Sequence, residues 1–309
     1  MSLISEQLDV KIGRRNLLQI GGLAGASLLG GALLAGCGGS DSNDNNKGNS
    51  SSSTDAAVLN FALNLEYLEA AYYQAAVIGN ADAVSSGGSN ASISFKNGST
   101  KVTFDTTAGA AYAAEIAQDE LNHVNFLRTA LQGSAVARPP IDLFASFNAA
   151  ITAASKGAVT TFDPFASETN FLLGAFIFED VGVTAYKGGS TLISNKTYLS
   201  AAAGILAVEA YHAATVRLLL SQRGTQTVAG TGLTVFDVVQ AISDLRDQAS
   251  GVDLGLDQGL DNGANIVPTD SNSIAFTRTT TQVLPIVYLG GKVGTGGGFF
   301  PTGLNGAIK

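Results

Sequence analysis

The chain has 309 residues and a formal charge of −8, with one Cys, two His, no Trp and 14% charged residues against 45% hydrophobic ones. This length buries a sizeable core in one or two domains. The acidic balance excludes a phosphate-binding face for nucleic acid, and a single cysteine excludes a disulfide framework or a thiolate-rich metal site.

Residues 11–37 read KIGRRNLLQIGGLAGASLLGGALLAGC. Arg14 and Arg15 precede Leu17-Leu18, a Gly- and Ala-rich apolar stretch follows, and Leu34-Ala35-Gly36-Cys37 closes it. The stretch is short and broken by glycines, which argues against a spanning helix. It resembles a bacterial twin-arginine signal peptide ending in a lipobox. That resemblance implies removal of residues 1–36, a lipid on Cys37, attachment to the membrane, and export of a folded protein to the periplasm or cell surface. Removing residues 1–36 takes away Lys11, Arg14 and Arg15 but also Glu6 and Asp9, so the body stays acidic. Residues 37–53 are polar and low in complexity and read as a flexible tether. No apolar run of about 20 residues lies beyond the N-terminus, so the body does not read as a transmembrane bundle.

Thr54-Asp55 opens a helical pattern over residues 54–78 that stops at Gly79-Asn80. Residues 81–105 are Ser/Gly-rich and alternate at Ile93-Ser94-Phe95 and Val102-Thr103-Phe104 around Asn97-Gly98, the signal of a small hairpin inserted between helices. A second helix spans 107–132 and ends at Gly133. Residues 134–162 form a long connection holding Pro139-Pro140 and a short helix at 142–155. Asp163-Pro164 offers a cap and a first-turn proline to a third helix ending at Lys187-Gly188. Asn195 begins a fourth helix that ends at Arg223-Gly224, and a fifth covers 234–250. Residues 251–309 read as an irregular extension packed on the bundle, with one apolar segment, 282–289, interrupted by Pro285. The expected architecture is all-α: a helical domain over 54–250 whose two antiparallel pairs are joined by a long crossover, a known four-helix connectivity.

Both histidines fall in one local frame, Glu120-Leu121-Asn122-His123 and Glu209-Ala210-Tyr211-His212. Glu occupies only eight of 309 positions, so its recurrence three residues before each His is improbable by chance. Residues i and i+3 share a helix face, so each pair presents a carboxylate and an imidazole in one direction. Arg128 and Arg217 each follow a His by five residues, which marks the second and fourth helices as related halves. The first helix offers Glu66 and Glu69 in LNLEYLEAAYY, and the third offers Glu179 and Asp180 in GAFIFEDVGV. A carboxylate turned into a helical core is costly unless it is paired or holds a metal. Four carboxylates balance two divalent ions, and a mixed O/N set without thiolate suits Fe or Mn better than Cu(I) or structural Zn. Tyr73, Tyr112, Tyr186 and Tyr211 read as core aromatics or as residues lining such a site. Asp180 reads as a packing acid beside it, and Glu115 as part of a solvated face. No Gly-rich phosphate loop and no nucleophile elbow is present.

The segments 59–73, 119–131, 171–187 and 201–220 resemble the four helices of the ferritin-like superfamily. RTTTQVLPIVYLG (278–290) and GGFFPTGLNG (297–306) resemble more specifically its exported members often called desiccation-related. Leu59-Asn60 upstream of Glu66 and Tyr73 downstream match a bacterioferritin-type first helix. The resemblance implies two Fe or Mn ions, with Glu66 (or Glu69) and Glu179 as terminal ligands. Glu120 and Glu209 would bridge the ions, and His123 and His212 would each complete one. It further implies action on peroxide or O2, catalase-like or ferroxidase-like, in envelope stress protection. The alternative is a non-catalytic structural protein of desiccation stress. Neither reading has a nucleic-acid partner, both leave room for a homo-oligomer, and the insertion and long tail argue against a storage cage.

Overall fold

The structure is a computed structural model that describes residues 47–96, 100–251, 255–260 and 265–309. The twin-arginine segment with Arg14, Arg15 and Cys37, residues 38–46 and the Asn97-Gly98 turn lie outside the described residues. The helices are α1 (Lys47–Ile78), α2 (Thr107–Leu131), α3 (Ala145–Ala154), α4 (Glu168–Ser190), α5 (Lys196–Ser221), α6 (Val235–Ala249) and α7 (Thr280–Val287). The two short strands are β1 (Ile93–Ser94) and β2 (Ile141–Asp142).

From Asp55 onward α1 carries neither Gly nor Pro and is rich in Ala and Leu, strong helix formers. It is buried on every side from Val58 to Ala76, as expected of a helix apolar all round. The helix also runs back through 47–53, read as tether; no proline stops it there, and each added residue needs only one more backbone bond. Asn195 caps α5 by accepting the N–H groups of Thr197 and Tyr198. The cap of α4 is Ser167, which accepts from Asn170 N–H, and not Asp163. Asp163 instead closes the turn before it, accepting from Phe165 N–H at 3.0 Å.

Contacts along the helices set their directions. Asn60 meets Ser134, Tyr67 meets Arg128 and Gln74 meets Ala117, so α1 and α2 are antiparallel. Glu168 with Arg223 and Asp180 with Arg217 make α4 and α5 antiparallel. The pairs face each other through Tyr73–Glu179 and Tyr186–Glu66. Among the described residues α5 is by length and composition apolar enough to cross a membrane. It nonetheless packs along α4 and turns Glu209, His212 and Arg217 into the core.

Among the described residues, 93–95 do not pair with 102–104 as the expected hairpin requires. β1 pairs in parallel with β2, Ile93 opposite Ile141 and Ser94 opposite Asp142. Val102 instead docks at the end of α1, its N–H donating to the carbonyl of Ala76 at 2.8 Å. The C-terminal extension also holds more order than expected. The segment around Pro285 forms α7 and buries Val283, Leu284, Ile286 and Val287. Phe299 packs edge-on against Phe147 and Phe178, with ring centroids 5.0 and 4.9 Å away. Asn305 exchanges hydrogen bonds with Asn64 of α1. Beneath α6 a buried ion-pair network joins Asp180 to Arg217 (2.8 Å) and Arg246 (3.0 Å), and Asp257 to Arg246 (2.9 Å) and Arg278.

Candidate metal centre

The four long helices bring Glu66, Glu120, His123, Glu179, Glu209 and His212 together, all buried. Their donor atoms form two groups, each with atoms within 4.8 Å of one another: Glu66, Glu120, His123 and Glu209 in one, and Glu120, Glu179 and His212 in the other. His123 Nδ1 lies 3.1 Å from Glu66 Oε2, 3.6 Å from Glu120 Oε2 and 3.7 Å from Glu209 Oε1. His212 Nδ1 lies 2.9 Å from Glu120 Oε1 and 3.8 Å from Glu179 Oε2. Glu120 stands between the groups. Glu209, expected to join both as Glu120 does, belongs to the His123 group, its carboxylate lying against the bare backbone of Gly182. Glu69 is buried but lies in neither group; its carboxylate faces Gly182 beside that of Glu209.

Around these groups the related halves hold each other crosswise. The Tyr73 hydroxyl of α1 donates to Glu179 Oε1, and the Tyr186 hydroxyl of α4 donates to Glu66 Oε1. Both are thus more than core aromatics, whereas Tyr112 and Tyr211 are exposed. Arg128 donates to Tyr67 Oη at 2.6 Å, and Arg217 to Asp180 at 2.8 Å, so the paired arginines anchor α2 to α1 and α5 to α4. Asp180 is therefore an ion-pair partner beside the centre. Glu115 is exposed, on the solvated face expected of it. A pocket of about 320 Å³, walled in part by Tyr112, Glu115, Asp119 and Tyr211, opens from the surface onto His212. Asp119 escaped the sequence reading. Its partner, His212 Nε2 at 3.3 Å, lies on another helix, and no local spacing signals it.

The electrostatics fit a cation site. Both oxygens of Glu120 and Glu209, Glu179 Oε2 and His212 Nδ1 are buried without a hydrogen-bond partner. Buried polar atoms are rarely left so. His212 Nδ1 and Glu120 Oε1 approach to 2.9 Å without hydrogen-bonding. Neighbouring donors on one ion, with bonds of about 2.1 Å, stand about 3 Å apart. Burial lifts Glu66 to about 7 against the pull of His123, and Glu179 to about 8 against His212. Burial and neighbouring carboxylates push Glu69 and Glu209 well up. Burial acts on Glu120 too, but the flanking imidazoles outweigh it and hold it at about 2. Burial opposes charge on the imidazoles, yet Glu66 and Glu120 raise His123 to about 11, and Glu120 and Glu179 raise His212 to about 9. Without a metal, the surrounding carboxylates thus favour the protonated form of both imidazoles. These groups can hold metal ions.

The family described as Ferritin-like domain matches residues 54–222. The chain is 33% identical over 248 residues to a desiccation-related protein, PCC13-62, of Craterostigma plantagineum, covering 75% of this chain and 76% of that one. It is 27% identical over 270 residues to the ferritin-like catalase Nec2 of Nesocodon mauritianus, covering 82% of this chain and 84% of the relative. No solved structure matches significantly. Four antiparallel helices, two Glu-x-x-His frames turned inward and the match over residues 54–222 lead to one conclusion: the chain belongs to the ferritin-like domain family.

Proposed function

We propose that the protein holds two Fe or Mn ions and acts on peroxide or O2, catalase-like or ferroxidase-like, as an exported lipoprotein that protects the cell envelope from stress. The observation that carries this reading is the set of buried, unpartnered donor atoms on Glu120, Glu179, Glu209 and His212. Glu66, Glu120, His123 and Glu209 would hold one ion, and Glu120, Glu179 and His212 the other. An Fe or Mn pair held there would supply the redox chemistry, giving electrons to peroxide or O2 and, in a catalase-like cycle, regaining them from a second peroxide. The chain's own part is to fix and shield. Tyr73 and Tyr186 hold the outer carboxylates of Glu179 and Glu66 by hydroxyl donation. Phe171 and Tyr72, stacked at 5.5 Å beyond Tyr73, keep bulk water from that end. The pocket at His212 admits a molecule the size of peroxide. The relative named a ferritin-like catalase favours turnover.

The second reading is a structural protein of desiccation stress that keeps the bundle and turns nothing over. The name of the desiccation-related relative and the ion-pair network locking the extension favour it. Metal analysis of untagged protein grown with both metals, followed by peroxide consumption, tests the first reading. It expects about two Fe or Mn per chain and turnover lost in His123→Ala/His212→Ala. Metal without turnover supports the structural reading, and a chain purified without metal refutes the metal reading. Cys37→Ser tests attachment, with release from the membrane fraction expected.

A further inference from the structure

The two halves of the centre correspond by position. Glu66, Tyr67 and Tyr73 on α1 match Glu179, Asp180 and Tyr186 on α4. Asp119, Glu120, His123 and Arg128 on α2 match Val208, Glu209, His212 and Arg217 on α5. The polar contacts follow this correspondence in crossed pairs, Tyr73–Glu179 with Tyr186–Glu66 and Arg128–Tyr67 with Arg217–Asp180. One contact breaks it. Asp119 Oδ2 lies 3.3 Å from His212 Nε2, while Val208, its counterpart, has no polar side chain to offer His123.

We propose that Asp119 is a positioning residue for one metal position only: it accepts the Nε2–H of His212, keeps Nδ1 turned toward Glu120 and Glu179, and so makes the two positions unequal. The inference rests on the metal reading above. A neutral imidazole has one N–H and one lone pair. His212 Nδ1 faces Glu120 Oε1 at 2.9 Å and Glu179 Oε2 at 3.8 Å without a hydrogen bond, so once a metal displaces the proton it is the nitrogen placed to donate its lone pair to the ion. The proton then resides on Nε2 and needs an acceptor, which Asp119 supplies. A carboxylate in that place fixes the ring and strengthens the nitrogen as a ligand. The His212 group draws on three residues and the His123 group on four, so the support falls where protein donors are fewer. The Asp119 side chain is 38% exposed and its replacement leaves the packed core intact.

The test is a Co²⁺ titration of the metal-free full chain, followed by calorimetry and visible absorption, with metal-free thermal stability measured alongside. The unaltered chain is expected to bind two Co²⁺. Asp119→Leu should weaken one step by about 10–100-fold, change the visible spectrum of that ion alone and leave metal-free stability as it was. Asp119→Asn, whose amide oxygen still accepts, should lose less, and Val208→Asp should tighten the other step. Two steps unaltered in Asp119→Leu, two steps weakened equally, or a loss of metal-free stability would each overturn the proposal. Failure of the unaltered chain to bind Co²⁺ would overturn the metal reading, and the proposal with it.

Discussion

Replacing Gly182 by alanine separates the centre from the fold that carries it. Gly182 lies inside α4, where alanine is the better helix former by about 0.8–1 kcal/mol. A Cβ added there would stand 2.3 Å from Glu209 Oε2 and 3.2 Å from its carboxyl carbon, with Glu69 Oε1 at 3.5 Å. Ordinary contact starts at 3.4 Å, so the Glu209 carboxylate must withdraw by about 1 Å. Side-chain rotation achieves that without moving backbone, so the helix keeps its gain. A metal–oxygen bond of about 2.0–2.2 Å does not survive such a shift. The expected outcome is a metal-free Tm unchanged or raised by up to about 4 °C. One of the two ions should be lost or weakened about tenfold or more. Calorimetric melting of the metal-free protein and elemental analysis after dialysis read the two effects apart. Full metal content at unaltered affinity would refute the reasoning, as would a metal-free Tm several degrees lower, since the clash would then fall on the fold.

Glu120 is the residue common to both donor groups, so Glu120→Gln should abolish binding of both ions with little change of volume. Tight retention of either ion on dialysis would contradict the shared role. Metal-free stability should fall as pH rises from about 5 to about 9. Glu66 and Glu179, raised from 4.5 to about 7 and about 8, hold protons that the unfolded chain releases near 4.5. His123 and His212, raised from 6.5 to about 11 and about 9, act in the same direction at higher pH. Glu120, lowered to about 2, loses its contribution only on acidification below about 4.5. Bound Mn²⁺ displaces the protons, so its affinity should rise over the same interval; a metal-free Tm flat across it would count against this account. Arg246→Met strips a guanidinium shared by Asp180 and Asp257 and held to the Phe176 carbonyl. Leaving buried carboxylates short of a partner costs about 3–5 kcal/mol, a Tm drop on the order of 10 °C by thermal melting. A drop of a degree or two would show the network to be dispensable.

What lay open in the chain itself was everything governed by helical spacing. Glu and His three apart must share a face, so Glu120 with His123 and Glu209 with His212 were readable as inward-facing pairs before any packing was known. Apolar continuity around Glu66 and Glu179 likewise marked two carboxylates bound for a core. Asn195 and Thr234 were readable as helix starts because a cap bonds to its own next turn. Asp163 was readable as a cap, but its carboxylate closes the preceding turn and Ser167 caps the helix instead. The extended segments show the same limit. Alternation says which side of a strand is apolar but not which backbone lies beside it, so Ile93 found Ile141 and not Val102. The hydroxyls of Tyr73 and Tyr186, the carboxylate of Asp119, the bare Cα of Gly182 and the Arg246–Asp257 pair gain their roles only from partners on other elements. Local spacing thus marked the two inward-facing Glu–His pairs. Tertiary packing decided that Glu120 spans both groups, that Glu209 and Glu69 meet across Gly182, and that His212 has Asp119 behind it. Those are distances between helices, and no repeat along a single helix encodes them.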